Sequence, residues 1–258
     1  QESDGTIEST TQNENEVLRT DSLSRHFGEL TAVDEVSISI QDGELRSVIG
    51  PNGAGKTTLF NLITGALQPS SGQIYFNGEE ISGLSMSARA RKGIVRAYQI
   101  TQVFPDLSVR ENLRLAVQAR EQDFNPLHRK KDEWDERAKE MFDRVDISGT
   151  LDAPVSSLSH GEKKKLEVAM AVLTDPSLLL LDEPTSGLSH DASQGVIDFL
   201  SEVAKQHTII LIEHDVDMVL SISDTITVLH EGAVLAEGTP EEISGDEDVQ
   251  EAYLGGYA

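Results

Sequence analysis

Short stretches of alternating apolar and polar residues occupy the first third of the chain. The alternation runs over residues 17–23, 33–40 and 45–49, with a turn signal at Gln41-Asp42-Gly43 before the last of them. Residues 72–78 continue the pattern and end in the turn dipeptide Asn-Gly. Alternation with a period of two is typical of half-buried strands. We therefore predict a strand-rich N-terminal region.

The pattern changes in the rest of the chain. Between about residues 107 and 145 it is helical and heavily charged. From Pro176 onward, predicted strands alternate with predicted helices, which indicates a parallel sheet with helical crossovers. A final pair of strands, separated by His-Glu-Gly, is predicted to form a hairpin. The predicted segments are strands at 178–181 and 208–212, helices at 192–204 and 216–221, and hairpin strands at 225–229 and 233–235.

The charge balance is strongly acidic, with 45 Asp and Glu against 21 Lys and Arg and a formal net charge of −24. Because phosphate backbones require basic surface, we expect no nucleic-acid partner. Two interpretations of the acidic excess remain open. One is adaptation to a high-salt cytoplasm, where salt screens the self-repulsion; the other is an ordinary solvated acidic surface. Residues 1–15 are polar and acidic and are predicted to be a disordered tail, which leaves 16–258 as a single domain.

Cysteine is absent, which excludes disulfides and thiolate metal sites and fits a reducing compartment. No apolar run reaches the roughly 18 residues that a membrane-spanning helix needs. The most apolar segments, 178–181 and 208–212, have the length of buried strands instead.

Residues 50–58, Gly-Pro-Asn-Gly-Ala-Gly-Lys-Thr-Thr, fit the phosphate-loop pattern G-x-x-x-x-G-K-[ST] in full. A predicted strand precedes the loop and a predicted helix follows it. In such a loop, backbone N–H groups and a helix N-terminus surround phosphate oxygens. The lysine reaches the β- and γ-phosphates, and the next hydroxyl ligates Mg²⁺. The candidate nucleotide-binding residues here are Asn52, Gly53, Ala54, Gly55, Lys56, Thr57 and Thr58, with Thr57 as the metal ligand.

A second motif, Leu-Leu-Leu-Leu-Asp-Glu-Pro at residues 178–184, is a predicted buried strand that ends in two carboxylates. Open α/β sheets bind ligands at the carboxyl ends of their strands. We expect Asp182 to hold Mg²⁺, directly or through water. Glu183 is expected to orient and polarise the attacking water as a general base.

Five segments follow the order found in ABC-type ATPases: the phosphate loop, Gln99, Leu-Ser-His-Gly-Glu at 158–162, the acidic strand end and Glu213-His214-Asp215. From residue 17 to residue 254 the chain resembles that family. The resemblance implies an α/β fold, namely an ABC-type P-loop ATPase core with an N-terminal antiparallel β subdomain and a helical subdomain inserted at about residues 100–160. It also implies ATP and Mg²⁺ as cofactors.

The resemblance assigns Ser159 and Gly161, in the signature segment 158–162, to the γ-phosphate of ATP held by another subunit. The implied working unit is a head-to-tail dimer with a second ATPase subunit, either the same chain or a paralogue. His160 and Glu162 depart from the family's usual Leu-Ser-Gly-Gly-Gln. The three lysines at 163–165 either add positive field to this helix start or point to solvent.

The resemblance also covers single residues outside these motifs. Phe27 resembles the aromatic residue that stacks on adenine, and the alternative is a core phenylalanine. Ser189 stands where the family commonly has aspartate. Gln99 resembles the Q-loop glutamine that touches Mg²⁺ and links the core to the helical subdomain. His214 resembles the switch histidine that contacts the γ-phosphate. The implied catalytic residues are thus Glu183, His214 and Gln99, and the implied metal ligands are Thr57, Gln99 and Asp182.

Four features narrow the resemblance to ATP-binding subunits of branched-chain amino acid and amide importers. They are the adenine-loop region 27–33, the charged insertion at about 109–145, the switch segment 211–218 and the C-terminal segment 249–255. The implied partners are membrane permeases and, indirectly, an external binding protein, and the implied location is the inner face of the cell membrane. Alternatives that stay open are a urea importer, a lipopolysaccharide-type exporter, a non-transport ATPase acting on DNA or ribosomes, and a regulatory nucleotide-binding module without turnover.

Overall fold

The computed structural model describes residues 15–97, 103–121 and 131–254. Its strands are β1 (Glu16–Phe27), β2 (Leu30–Val36), β3 (Ser39–Gln41), β4 (Leu45–Ile49), β5 (Ser71–Phe76), β6 (Glu79–Glu80), β7 (Ile94–Arg96), β8 (Leu178–Asp182), β9 (Ile209–Ile212), β10 (Thr225–His230) and β11 (Ala233–Gly238). Its α-helices are α1 (Lys56–Thr64), α2 (Met86–Arg91), α3 (Val109–Glu121), α4 (Lys131–Val145), α5 (His160–Leu173), α6 (His190–Ala204), α7 (Val216–Ile222), α8 (Pro240–Gly245) and α9 (Glu247–Val249). A 3₁₀ turn at Val155–Ser157 precedes α5, and a π turn at Gln250–Leu254 follows α9.

The first sheet is antiparallel and has the strand order β2-β1-β5-β6, with β3 also paired to β1. The predicted N-terminal strand region is confirmed, but the prediction of one continuous strand over residues 33–40 is wrong. The chain leaves the ladder between β2 and β3 because the Thr20 hydroxyl replaces part of it. This hydroxyl donates to the carbonyl of Val36 at 2.9 Å and accepts from the N–H of Ile38 at 3.1 Å.

The second sheet has the order β11-β10-β4-β9-β8-β7, and all its neighbouring strands are parallel except the β10–β11 hairpin. Both the predicted parallel sheet and the predicted C-terminal hairpin are confirmed. Strands β4 and β9 are buried along their whole length, as expected for strands covered on both faces. The carboxyl ends of β4, β9 and β8 therefore lie side by side at one edge of this sheet.

The predicted charged helical segment corresponds to α3 and α4, which pack on α5 through one apolar cluster. Two backbone hydrogen bonds close the base of this helical group, from Val109 N–H to the Ala153 carbonyl at 3.0 Å and from Arg110 N–H to the Leu151 carbonyl at 2.8 Å. Within the described ranges, no helix has the length and apolarity needed to cross a membrane. The buried side chains of the cluster include Leu113, Val117, Trp134, Ala138, Met141, Leu166 and Met170.

Arg89 anchors the C-terminal end of α1, although it is fully buried. Its guanidinium donates to the carbonyls of Leu62 at 2.6 Å, Ile63 at 2.9 Å, Ser82 at 2.8 Å and Leu84 at 3.2 Å. Burial lowers the pKa of Arg89 to about 10, so the group stays charged at neutral pH. The last carbonyls of a helix lack intrahelical partners, and a cation at that end is favoured by the helix dipole. Arg89 thus holds the helix that begins at the phosphate loop.

Replacing Arg89 with Met should lower the free energy of unfolding by about 3 kcal/mol, because several buried carbonyls lose their donors. Urea denaturation with a constant m-value measures this loss. The control is Lys92→Met, which removes the exposed ion pair with Glu79 and should cost less than about 1 kcal/mol. Equal losses for the two variants would contradict the anchoring role.

Candidate nucleotide-binding site

The candidate site lies where β4, β9 and β8 end next to one another. Parallel pairing sets Val48 opposite Ile212, and Ile212 opposite Asp182. The phosphate loop follows β4, the two carboxylates end β8, and His214 comes just after β9. Three motifs that are distant in the sequence are therefore brought to one edge of the sheet, where α/β folds bind ligands.

The phosphate loop depends on glycine for its shape. Gly50, Gly53 and Gly55 have φ angles of 149°, 86° and 100°, which L side chains rarely adopt. A Cβ on Gly50 would lie 2.1 Å from the Leu229 carbonyl oxygen, and one on Gly55 would lie 2.4 Å from that of Ala32. Gly53, in contrast, has open space around it. The loop is thus packed tightly on the protein side and open on the other, immediately before the first N–H groups of α1.

Of the other loop residues, one is buried and attaches the loop to the protein, and the others are exposed or half-buried. Ala54 is buried, and its carbonyl accepts from the N–H of Gly232 at 3.2 Å in the turn between β10 and β11. Asn52 and Thr57 are exposed, and Thr58 is half-buried. The Thr57 hydroxyl is therefore accessible to a metal ion.

Lys56 lies over the loop from which it comes. Its ammonium donates to the carbonyls of Gly50 at 2.6 Å and Pro51 at 3.0 Å. Burial lowers the pKa of Lys56, while the negative charges of Glu183 and Asp182 act in the opposite direction. The charges of both predicted carboxylates thus favour the protonated form of this lysine.

Asp182 is held by Arg96, a buried residue of β7. The Arg96 guanidinium contacts the Asp182 carboxylate, donates to Asn61 Oδ1 at 2.7 Å and lies over the Phe60 ring at 5.7 Å. Since Asn61 and Phe60 belong to α1, Arg96 connects the acidic strand end to the helix of the phosphate loop. Arg96 is absent from the residues predicted above. The one signal for it is a cation at the end of an otherwise apolar strand.

Glu183 and His214, two of the three predicted catalytic residues, are neighbours. The Glu183 carboxylate lies 3.9 Å from Nδ1 of His214, and the two side chains are 44% and 60% exposed. Glu183 has a φ of 50°, an uncommon backbone conformation for a residue with a side chain. Its N–H donates to the Ile212 carbonyl at 2.9 Å, at the end of the adjacent strand. The structure therefore supports this strained turn from β9.

Glu213 organises the loop around these two residues and was given no role above. Its carboxylate is fully buried and accepts from the N–H of Thr185 at 2.9 Å, the Thr185 hydroxyl at 2.7 Å and the N–H of His214 at 3.2 Å. A buried carboxylate needs such donors. Glu213 thereby joins the turn after β8 to the residue after β9.

Ser159 and Gly161 lie at the start of α5. Ser159 is the N-cap residue in a capping box with Glu162. Gly161 packs on α6, since a Cβ here would lie 3.1 Å from Cβ of Ala192. None of the contacts described for Ser159 or Gly161 reaches the phosphate loop of the same chain. The structure thus presents them apart from the cluster at the strand ends.

The remaining predictions have different outcomes. Phe27 is 44% exposed, which rules out the core-phenylalanine alternative, and the Arg25 guanidinium lies 4.6 Å from its ring. Ser189 caps α6 by accepting from the N–H of Ala192 at 3.4 Å. Lys165 does not point to solvent, because it is buried; its ammonium donates to the Asp146 carbonyl at 3.3 Å and lies 3.7 Å from the Asp146 carboxylate. Gln99 and the tail 1–14 lie outside the described residues.

The donor set fits Mg²⁺ better than a metal held by protein alone. In the part of the chain that the structure describes, no group of three or more His, Cys, Asp or Glu could hold a metal ion. Mg²⁺ is commonly bound by one or two protein oxygens together with substrate phosphates and waters. Thr57 is exposed and Asp182 is 21% exposed, so both oxygens are available for this mode.

The phosphate loop, the acidic strand end and the histidine on adjacent parallel strands define a P-loop ATPase. Sequence comparison agrees. The profile of the ABC transporter family matches residues 33–186, and that of the branched-chain amino acid ATP-binding cassette transporter matches residues 233–258. The chain belongs to the ABC transporter family, as an ATPase subunit, and this confirms the family and fold predicted above.

Individual relatives support the same conclusion. BraF of Pseudomonas aeruginosa, a high-affinity branched-chain amino acid transport ATP-binding protein, is 39% identical over 93% of this chain and 98% of BraF. The ADP conformation of MJ1267, an ATP-binding cassette of an ABC transporter, superposes with a TM-score of 0.80 at 33% identity, covering 93% of this chain and 99% of MJ1267. The dimeric cassette MJ0796 has a TM-score of 0.73 at 22% identity, covering 86% and 98% of the two chains, and shows the fold alone.

A double-mutant cycle tests the Arg96–Asp182 contact. Arg96→Met and Asp182→Asn should each lower the free energy of unfolding by about 2–3 kcal/mol, because each leaves a largely buried charge without its partner. The double variant should lose at least about 1 kcal/mol less than the sum of the single variants. A parallel cycle on Arg120 and Asp175, an exposed pair, should give a coupling below about 1 kcal/mol. If the stability losses of Arg96→Met and Asp182→Asn are additive in the double variant, the proposed coupling between Arg96 and Asp182 is wrong.

Proposed function

We propose that this chain hydrolyses ATP to drive an importer of branched-chain amino acids or related amides. The observation that carries the proposal is the meeting of Lys56, Asp182, Glu183 and His214 at one sheet edge. The name of BraF supports this cargo over the urea and lipopolysaccharide alternatives, since that relative matches nearly the whole chain. The same four residues argue against a regulatory module without turnover.

The phosphate loop binds the nucleotide in this proposal. Lys56 exchanges the carbonyls of Gly50 and Pro51 for oxygens of the β- and γ-phosphates, and loop N–H groups with the start of α1 hold the remaining oxygens. Phe27 stacks on adenine at the exposed end of β1. Thr57 and Asp182 would hold Mg²⁺, with Gln99 as a further ligand, and the ion neutralises phosphate charge when bound.

Glu183 acts as the general base in this proposal. Its exposed carboxylate can accept a proton from a water that attacks the γ-phosphate, and this requires hydrogen-bond reach in the bound state. His214, 3.9 Å away, contacts the same phosphate. The three donors to Glu213 keep His214 and the turn after Glu183 in a fixed relation. The pair is thereby positioned before nucleotide arrives.

A second subunit completes each site. Ser159 and Gly161 offer a helix start, which favours anions, but their contacts lie on α5 and α6 and not at the phosphate loop. In a head-to-tail dimer, the α5 start of one chain would face the nucleotide held by the other. Two ATP molecules would then lie between two subunits, either identical or paralogous.

Two substitutions separate binding from chemistry. Lys56→Ala should abolish ATP binding, measured by calorimetry, because the cation at the phosphates is lost. Glu183→Gln should retain binding and lose phosphate release by about 100-fold or more, since only the general base is removed. Glu202→Gln, an exposed change on α6, is the control and should behave like the parent. Parental turnover in Glu183→Gln would disprove the assignment of the base.

The surface next to β7 is the proposed docking site for a permease. A groove of about 640 Å³ opens between the α2–β7 segment, α3 and α5, and its lining includes Val95, Phe104, Leu115 and Met170. Phe104 and Leu115 are exposed at 49% and 37%. Such a groove fits the apolar face of an amphipathic helix, here a cytoplasmic helix of the membrane subunit. Since Arg96 follows Val95 directly, the floor of the groove is continuous with the residue that holds Asp182.

Leu115→Asp should reduce co-purification with co-expressed permeases from membranes, because it places a charge in the apolar groove. ATP binding by the isolated subunit should be unchanged. Leu235→Asp is a matched control, because Leu235 is also 37% exposed but lies on β11.

The assembled complex also tests the cargo. With the loaded external binding protein, its ATPase activity should rise with leucine, isoleucine or valine. Stimulation by urea alone would replace the proposed cargo with the alternative, and a protein that co-purifies with ribosomes or DNA in place of permeases would overturn the transport role.

A further inference from the structure

Glu162 binds two serines from different parts of the chain. Its Oε2 accepts from the N–H of Ser159 at 2.8 Å and from the Ser159 hydroxyl at 2.7 Å. Its Oε1 accepts from the N–H of Ser148 at 2.8 Å and from the Ser148 hydroxyl. Ser148 lies in the connection that follows α4, so one carboxylate joins the start of α5 to the end of α4.

Only a carboxylate satisfies these four donors. A glutamine offers one acceptor oxygen and one NH₂ group, so its NH₂ would face the N–H and hydroxyl of one serine. Desolvation acts to raise the pKa of Glu162, but the hydrogen bonds from Ser148 and Ser159 outweigh it and lower the pKa to about 2. Glu162 is therefore ionised at every physiological pH. The glutamine that is usual at this position in the family cannot make the same set of contacts.

Lys165 makes a second contact to the same connection, one turn further along α5. Its ammonium donates to the Asp146 carbonyl at 3.3 Å and lies 3.7 Å from the Asp146 carboxylate. Helix α6 leaves space for it, because a Cβ on Gly195 would lie 3.0 Å from Lys165 Nζ. A glycine inside a helix costs about 1 kcal/mol relative to alanine. Glycine at position 195 is therefore explained by packing, because a larger residue would crowd the Lys165 ammonium.

We propose that Asp146, Ser148, Glu162 and Lys165 form a clip that positions Ser159 for the nucleotide of a second subunit. Glu162 and Lys165 are positioning residues, since they act through Ser159 and the start of α5. The clip fastens α4 to the first turns of α5, so the anion-binding helix start moves with α4 as one body. This inference rests on the proposed head-to-tail dimer.

Most hydrogen bonds of the clip are retained when the Ser159 hydroxyl binds a phosphate. A serine hydroxyl has one proton to donate, and that proton now points to Glu162. When the hydroxyl turns toward a phosphate oxygen, Glu162 loses one of four donors and keeps the N–H of Ser159 and both donors of Ser148. The helix start is therefore held in place while its hydroxyl changes partner.

The test uses Glu183→Gln as the background, because this variant is expected to bind ATP without turnover. ATP-dependent dimerisation is followed by sedimentation velocity across an ATP titration. Adding Glu162→Gln should raise the ATP concentration for half-dimerisation by about 10-fold, equivalent to about 1.4 kcal/mol. Calorimetric ATP binding by the dilute monomer should not change, since the phosphate loop is intact.

Glu242→Gln is the matched control. Glu242 makes the same capping box at α8, accepting from the N–H of Thr239 at 2.8 Å and from its hydroxyl at 3.1 Å. Both substitutions weaken a capping box, so both should lower the urea midpoint, but only Glu162→Gln should change dimerisation. Lys165→Met is a second variant in the clip and should also raise the ATP requirement, should Glu162→Gln fail to fold.

The outcomes distinguish the clip from the dimer. If Glu183→Gln alone stays monomeric with ATP, the proposed dimer fails and the clip fails with it. If it dimerises and both clip variants dimerise at the same ATP concentration, the dimer stands and the clip is overturned. An equal shift in Glu242→Gln also overturns the clip, because general loss of stability then explains the effect.

Discussion

Parallel pairing of β4, β9 and β8 is the constraint on which the nucleotide site depends. Strands β4 and β9 are buried throughout, and β8 is buried up to Asp182, so apolar packing on both faces sets their register. A slip of one residue would turn Asp182 to the other face of the sheet. Because β9 lies between the other two, the segment that carries His214 starts between the phosphate loop and the acidic strand end, although it comes last in the chain.

Charged side chains inside the protein connect the parts that this register brings together. Arg89 holds the far end of α1, Arg96 joins α1 to Asp182, and Glu213 joins the turn after β8 to His214. A buried charge is tolerated only when hydrogen bonds replace its hydration. These bonds are directional, so they fix orientation in a way that apolar contacts do not. Buried hydrogen bonds and an ion pair thus fix the orientation of the site residues within a mostly apolar core.

The sequence predicted the local elements of the site, but it did not predict the buried polar contacts of Arg96 and Glu213, and one physical reason explains the difference. The phosphate loop, the buried strand before Asp182 and the helix starts are patterns within short windows, where periodicity and turn chemistry act. Arg96 lies 86 residues from Asp182, and Glu213 lies 28 residues from Thr185. Such partners are set by tertiary packing, as was the Thr20 side chain that divides β2 from β3. The antiparallel pairing of the N-terminal subdomain and the proposed role of Ser159 were predicted from family resemblance and not from periodicity.

Two departures from the family's commoner pattern offset each other at neighbouring helix starts. Glu162 adds a negative charge where glutamine is usual, and Ser189 removes one where aspartate is common. Gly161 and Ala192 bring the starts of α5 and α6 into contact, so the exchange occurs within one local field. Serine and aspartate are both good N-cap residues, hence Ser189 keeps the cap of α6 without the charge. Relative to the commoner pattern, a negative charge therefore lies at the start of α5, where four hydrogen-bond donors stabilise the ionised Glu162, and not at the N-cap of α6.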